Sequence, residues 1–174
     1  MKLFVTVGAE RRPFNRLIKI IDDSVFSNIL PKDTFVQIGH SSYKPQYCSF
    51  CRFLNYCDME ERIADADMVI SHAGMGTVLL CMKHKKIPIL FPRKVCYREH
   101  VDDHQFLFAR TMAKEGLALA AFSSGELLKL YTDYEKLSQS LNTQQSADKK
   151  KGLFTYLEKT LTDFSRAKGK NNGY

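Results

Sequence analysis

The sequence predicts an α/β protein, a Rossmann-like parallel sheet with helices on both faces. Three observations carry that expectation. Short apolar, β-branched runs recur along the chain, as strands buried on both sides do. Segments of helical spacing separate them, so the connections are crossovers and the strands pair in parallel. Two of the first three runs stop at a glycine and the third at a Ser-His pair before further glycines, the punctuation of tight turns at strand ends.

The first run, Leu3-Phe-Val-Thr-Val7, ends at Gly8. Phe14, Leu17, Ile18 and Ile21 then repeat at the i, i+3, i+4, i+7 spacing of an amphipathic helix over about 14–25. After the Leu30-Pro31 stop comes a second strand, Thr34 to Ile38, ending at Gly39, and the polar turn His40-Ser-Ser-Tyr-Lys-Pro45. The aromatic segment from Tyr43 to Tyr56 is expected in the core. A short helix is expected over 59–64, a third strand over 67–71, a helix over 76–84, a strand over 87–91, a helix over 101–114 and a strand over 117–121. The expected domain spans 1–141, and the polar, aperiodic stretch 142–152 reads as a linker. Beyond it, at 153–174, Leu153, Leu157, Leu161 and Phe164 put one apolar stripe on a last helix before a basic tail. Such a stripe reports burial without naming what buries it, the same domain or another protein.

At 174 residues, 44% hydrophobic and 26% charged, the composition suits one globular domain and excludes fibrous or disordered architectures. No apolar run approaches the ~18 residues of a spanning helix. The first apolar run breaks at Glu10-Arg-Arg12, too soon for a secretory leader, so the expected location is the cytoplasm. Five cysteines, odd in number and irregularly spaced, do not form a disulfide framework. Cys48, Cys51 and Cys57, with His40, invite a zinc reading, but an offset of three on a strand puts Cys48 and Cys51 on opposite faces. No metal or cofactor is expected. Seven Lys or Arg against two acids from Lys149 onward account for +5 of the formal +7. That tail suits a nucleic acid, an anionic membrane face or solvent alike, yet no basic and aromatic recognition module precedes it, and no nucleic-acid partner is expected.

In parallel sheets of this type, ligands bind beyond the carboxyl ends of the strands. Gly8, Gly39 and His40 occupy two such ends, and Val69-Ile-Ser-His-Ala-Gly-Met-Gly-Thr77 a third. A strand ending in Ser71-His72 that turns through Gly74 and Gly76 into a helix leaves open N–H groups with the positive end of the helix dipole behind them. That is an anion site, to which Thr77 adds a hydroxyl and His72 a ring donor, or else a plain βα turn with its cap. The motif is neither a Walker loop nor the dinucleotide fingerprint. The second polar cluster, Arg98-Glu-His-Val-Asp-Asp-His-Gln105, heads a helix. It suits capping, and Asp103, His104 and Gln105, with His100, also suit the hydroxyls of a sugar.

The segments VTVG at 5–8, QIGHS at 37–41, ADMVISHAGMGTVL at 66–79, KIPILFPR at 86–93 and EHVDDHQ at 99–105 resemble the C-terminal, donor-binding half of GT-B glycosyltransferases of family 28. Within that family the chain resembles the soluble subunits of split UDP-sugar transferases, those that extend dolichyl-pyrophosphate-GlcNAc and their bacterial exopolysaccharide counterparts. The resemblance implies that Ser71, His72, Gly74, Gly76 and Thr77 hold the pyrophosphate of a UDP-sugar, and that Asp103, His104 and Gln105 contact the donor sugar. It implies an inverting, metal-independent hexosyltransferase whose general base and lipid-pyrophosphate-linked acceptor belong to a membrane-anchored partner subunit, which would hold this chain at the inner membrane face. Where relatives carry a ribose-binding Glu, this chain has Leu80. That departure keeps open an alternative, a nucleotide-sugar-binding or regulatory partner without catalysis.

Overall fold

The computed structural model describes residues 1–144. Most of the expected linker and the whole of the segment at 153–174 lie outside the described residues. Six parallel strands, β1 (Leu3–Thr6), β2 (Thr34–Gln37), β3 (Ser49–Cys51), β4 (Met68–Ser71), β5 (Ile89–Leu90) and β6 (Leu119–Ala120), form one sheet in the order β3-β2-β1-β4-β5-β6. The chain winds outward from β1 in one direction and from β4 in the other. The crevice at the point of reversal therefore lies between the carboxyl ends of β1 and β4, which pair in register from Leu3 with Met68 to Thr6 with Ser71.

Helices α1 (Asn15–Phe26), α2 (Tyr56–Asp65), α3 (Met75–Lys83), α4 (His104–Lys114), α5 (Ser124–Thr132) and α6 (Tyr134–Gln144) cover both faces. Alternation along the strands decides which helix each residue meets. Leu3, Val5, Met68, Ile70 and Ile89 point to the face covered by Leu17, Ile18 and Ile21 of α1 and Leu127 of α5. Phe4 and Val69 point the other way, to Ile63 of α2 and Leu80 and Cys81 of α3. Leu90 meets Val78 of α3 with Ala109 and Met112 of α4. Every strand and helix expected over 3–121 is present, although β5 and β6 shrink to two residues each and α4 starts at His104 rather than 101.

Two helices, α5 and α6, were not anticipated. Their signal is local: Ser123 Oγ accepts from Glu126 N–H at 3.2 Å while Glu126 Oε2 accepts from Phe122 N–H at 2.8 Å, a near relative of the capping box. The Tyr134 hydroxyl then ties α6 to the Ile87 carbonyl at 2.8 Å. Because α6 continues to Gln144, the first three residues of the expected linker are helical.

The aromatic segment is a correction. Tyr47, Phe50, Phe53 and Tyr56 are exposed by 39–64%, because β3 is a three-residue edge strand with no neighbour beyond it among the described residues. Tyr43 and Cys48 turn inward instead, drawn by Asp22 of α1. The buried Asp22 carboxylate accepts from Tyr43 Oη at 2.7 Å, Gln46 N–H at 2.9 Å and Tyr47 N–H at 2.8 Å. Burial alone would raise its pKa; these donors outweigh burial and hold it below the usual carboxylate range. Burial, then the charge of Asp22, pushes the Cys48 thiol up to about 12, whereas Cys51 is half-buried and Cys57 exposed. Among the described residues no three His, Cys, Asp or Glu side chains are grouped to hold a metal ion.

Asp22→Ala leaves three inward-facing donors without an acceptor and should destabilise the chain by about 2 kcal/mol, read as a lower urea midpoint at unchanged slope. The lowered pKa adds a sign: the contribution of Asp22 is complete above its ordinary 3.8 and is lost as pH falls through the lower folded value.

Candidate functional site

The turn from β4 into α3 builds the centre of the site. Ser71 is fully buried at the strand end, and its hydroxyl has no hydrogen-bond partner among the described residues. His72 N–H donates to the Thr6 carbonyl at 3.1 Å, and ring Nδ1 lies 3.3 Å from the same oxygen. Ala73 then takes φ +65°, a left-handed conformation uncommon for a residue with a side chain, which swings the chain into α3. Gly74 is the N-cap, and no side chain caps the helix, so the N–H groups of its first turn face outward with the helix dipole.

Two of the glycines have different reasons. A Cβ on Gly74 would stand 2.4 Å from His72 Nε2, and one on Gly8, across the ring, 2.5 Å from the same atom. The imidazole is held between two backbones with nowhere to move. A Cβ on Gly76 would meet nothing within 4 Å. Glycine inside a helix costs about 1 kcal/mol relative to alanine, and nothing in the described chain requires it here. Its effect is to clear space above the α3 N-terminus. Thr77, beside it, is buried.

Gln37 ties the loops at the strand ends together. Its Oε1 accepts from Thr6 Oγ1 at 2.7 Å and Gly8 N–H at 3.1 Å; its Nε2 donates to the carbonyls of Gly8 at 3.0 Å and Arg52 at 2.8 Å. Gly39 is in van der Waals range of Gly8, since a Cβ there would stand 2.5 Å from the Gly8 oxygen. Exposed His40 packs edge-on to Phe53 with ring centroids 4.9 Å apart. Gly8 and Gly39 thus meet at the crevice, while His40 belongs with the β3 end.

Sequence reasoning missed Arg93, one of the most deeply buried side chains. Its guanidinium donates to the carbonyls of Val7 at 2.8 Å, Arg12 at 2.7 Å and Glu99 at 3.3 Å, with Nε unpartnered among the described residues. It therefore locks the β1–α1 loop to the β5–α4 loop. A bidentate pair, Arg16 Nε and Nη2 on Glu99 at 2.9 and 2.7 Å, makes the same connection from α1, with Arg16 stacked over Phe91. The available signal was an arginine directly after the buried run Ile87-Pro-Ile-Leu-Phe-Pro92, a position where a charge needs a role.

At the head of α4, Asp103 is exposed and makes no side-chain cap bond; it lines a cavity of about 290 Å³ with Lys94, Val95, Cys96 and Phe106. Asp102 does the orienting. Its carboxylate meets His100 Nδ1 at 3.0 Å and His104 Nδ1 at 2.8 Å, and accepts His104 N–H at 3.1 Å. These contacts, first the His104 backbone and then its ring, lower the Asp102 pKa. His104 is exposed, whereas Gln105 Oε1 already accepts Arg93 N–H at 3.3 Å. Leu80 packs into the core with Phe4 and Ile63, so this position offers nothing to a sugar hydroxyl.

Burial, reinforced by the charge of Arg93, pushes the His72 pKa down from 6.5 to about 4. Burial lowers Arg93 to about 10, against the attraction of Glu10 and Glu99. At neutral pH the centre therefore holds a neutral imidazole and a cationic guanidinium.

The profile of the glycosyltransferase family 28 C-terminal domain matches residues 2–159. No curated protein sequence matches significantly. Among solved structures, the glycotransferase of kitacinnamycin aligns with a TM-score of 0.61 at 16% identity over 91% of this chain and 39% of its own. MurG of Acinetobacter baumannii aligns with a TM-score of 0.56 at 17% identity over 91% of this chain and 50% of its own. CalG4, the calicheamicin glycosyltransferase, aligns with a TM-score of 0.58 at 9% identity over 98% and 44%. At these identities the likeness is one of fold, the Rossmann-like C-terminal domain of GT-B glycosyltransferases. The chain spans between two-fifths and one half of the length of these structures.

The histidine pKa has a consequence for stability. Between 6.5 and about 4 the unfolded chain binds a proton that folded His72 does not, so stability falls as pH drops through that window and owes nothing to this group above it. His72→Asn, which keeps an N–H for the Thr6 carbonyl, should remove that component. Urea unfolding across the window should show the native chain losing up to about 3 kcal/mol relative to the variant as pH falls from 6.5 to about 4, on top of any pH-independent offset between the two.

Proposed function

The chain belongs to the glycosyltransferase family 28 C-terminal domain family, and from that premise we propose that it is the donor-binding half of an inverting UDP-sugar transferase. The diphosphate of the donor binds at the N-terminus of α3, against the N–H groups that follow Gly74, with Ser71, His72 and Thr77 beside it. The hexose, GlcNAc or a relative, extends toward Asp103, His104 and Gln105. The acceptor is a lipid-pyrophosphate-linked saccharide held by a membrane-anchored partner subunit, so that the chain works at the inner face of a membrane. No helix among the described residues is long and apolar enough to cross one.

The chemistry needs little from this half beyond binding and charge. An acceptor hydroxyl attacks the anomeric carbon, its proton passes to a base on the acceptor-binding half, and the bond from that carbon to the diphosphate oxygen breaks with inversion. Negative charge then grows on the departing UDP. Preorganised N–H dipoles at α3 stabilise it without any reorganisation at the moment of transfer, which is electrostatic catalysis at the leaving group. The observation that carries the reading is Gly76, a helical glycine with no neighbour to require it, beside an uncapped helix N-terminus at the crevice between β1 and β4.

One observation favours a second reading. Leu80 is buried, so the ribose must be held by another group or held weakly, which suits a nucleotide-sugar-binding partner without catalysis. Sugar transfer by the chain with its acceptor-binding partner separates the two.

Gly76→Ala tests the site without disturbing the fold. The new methyl meets nothing in the chain and favours the helix, so stability should hold or rise by up to about 1 kcal/mol. Titration calorimetry with UDP and UDP-GlcNAc should show at least tenfold weaker binding than to the native chain, about 1.4 kcal/mol or more. Unchanged affinity for both ligands would remove α3 from the proposed donor site.

A further inference from the structure

We propose that one proton enters the site with the diphosphate of the donor, carried on Nε2 of His72, and that burial of the ring, reinforced by Arg93, keeps the empty site free of it. The proposal rests on the reading of α3 as the diphosphate site and adds the proton that this site requires.

The tautomer follows from geometry. A carbonyl oxygen can only accept, so the contact of Nδ1 with Thr6 O at 3.3 Å puts the hydrogen of a neutral ring on Nδ1. Nε2 is then a lone pair. It lies against the N-cap of α3, 2.4 Å from where a Gly74 Cβ would stand. A diphosphate diester offers acceptors alone, and a lone pair facing phosphate oxygen repels it. The ring cannot present its other edge, because Gly8 and Gly74 close on both sides and the Thr6 carbonyl holds Nδ1. Contact between His72 and the diphosphate therefore requires a hydrogen on Nε2 as well, which makes the ring an imidazolium.

The surroundings explain why that hydrogen is absent beforehand. Burial of the ring comes first; Arg93 and His100, both from the β5–α4 loop, are the charged or titratable groups that act on it, and both oppose a second positive charge. Strand β1 contributes the Thr6 carbonyl, and Gly8 and Gly74 contribute no charge. The carboxylates nearby, Glu10 and Glu99, act on Arg93 instead. An arriving dianion supplies the missing counter-charge, and solvent supplies the proton. Arg93 is thus a positioning residue with an electrostatic effect: it fixes the loops that enclose the ring and sets the threshold at which the ring accepts a proton.

Titration calorimetry of the full chain with UDP-GlcNAc, in buffers of different ionisation enthalpy near neutral pH, reads the proton directly. This ligand has no ionisation of its own there. The expected result is an observed enthalpy that tracks the buffer with a slope of about one proton taken up, and an affinity that falls about tenfold per pH unit between the free-state value of about 4 and the higher bound-state pKa. His72→Asn, which keeps a donor for Thr6 and cannot be protonated, should bind more weakly, without buffer dependence and without the pH slope. Arg93→Met, if folded, should shift the pH slope upward, an effect that a merely structural role would not produce; an unshifted slope would overturn the part given to Arg93. Binding without buffer dependence would overturn the proton and leave the diphosphate site standing. Uptake that survives His72→Asn would overturn its assignment to this ring. Absence of UDP-GlcNAc binding would overturn both the proposal and the reading beneath it.

Discussion

The imidazole of His72 packed between Gly8 and Gly74 is the constraint on which the rest of the centre depends. It fixes the distance between the end of β1 and the start of α3, because neither backbone can come closer and neither glycine can carry a side chain. Around it stand the left-handed Ala73, the uncapped start of α3 and Gly39, which lies against Gly8. Gln37 and Arg93 hold the outer loops to the same point through backbone carbonyls, one with an amide and the other with a guanidinium. A buried amide and a buried cation are costly unless satisfied. Here nearly all their polar atoms are used, and each bond restrains a loop that borders the crevice.

This arrangement suits a site that must bind an anion and later release it with more charge. The helix dipole and the open N–H groups are permanent, and at neutral pH Arg93 is charged and the imidazole neutral. The polarity is therefore built into the backbone and the core, not into mobile surface side chains. That is the form of preorganisation that stabilises a leaving group most effectively.

Much of the fold was legible because the strands are buried on both faces and the helices keep a clear period, as Leu17, Ile18 and Ile21 do beneath β1 and β4. The helices after Ser123 escaped notice because their period is short and their strongest signal is a cap, Ser123 with Glu126, three residues apart. The aromatic segment misled for a different reason. Aromatic content predicts burial only where a neighbour exists to bury against, and β3 is an edge strand; the inward places in this segment go to Tyr43 and Cys48, before the strand, through the distant Asp22. The glycines and His72 were legible as a turn, but Arg93 and Asp102 were not. Their roles come from bonds to carbonyls and imidazoles that only the folded chain brings near, such as Arg93 to Val7, 86 positions away.

The central claim, that a donor diphosphate rests on the start of α3, is tested most directly by amide chemical-shift mapping of the full chain on addition of UDP-GlcNAc. The account predicts that the N–H signals of Met75, Gly76 and Thr77 move together and most strongly, with the His72 ring responding at the same ligand concentration. Shifts that leave α3 untouched and gather instead around the cavity of Lys94, Cys96 and Asp103 would contradict it.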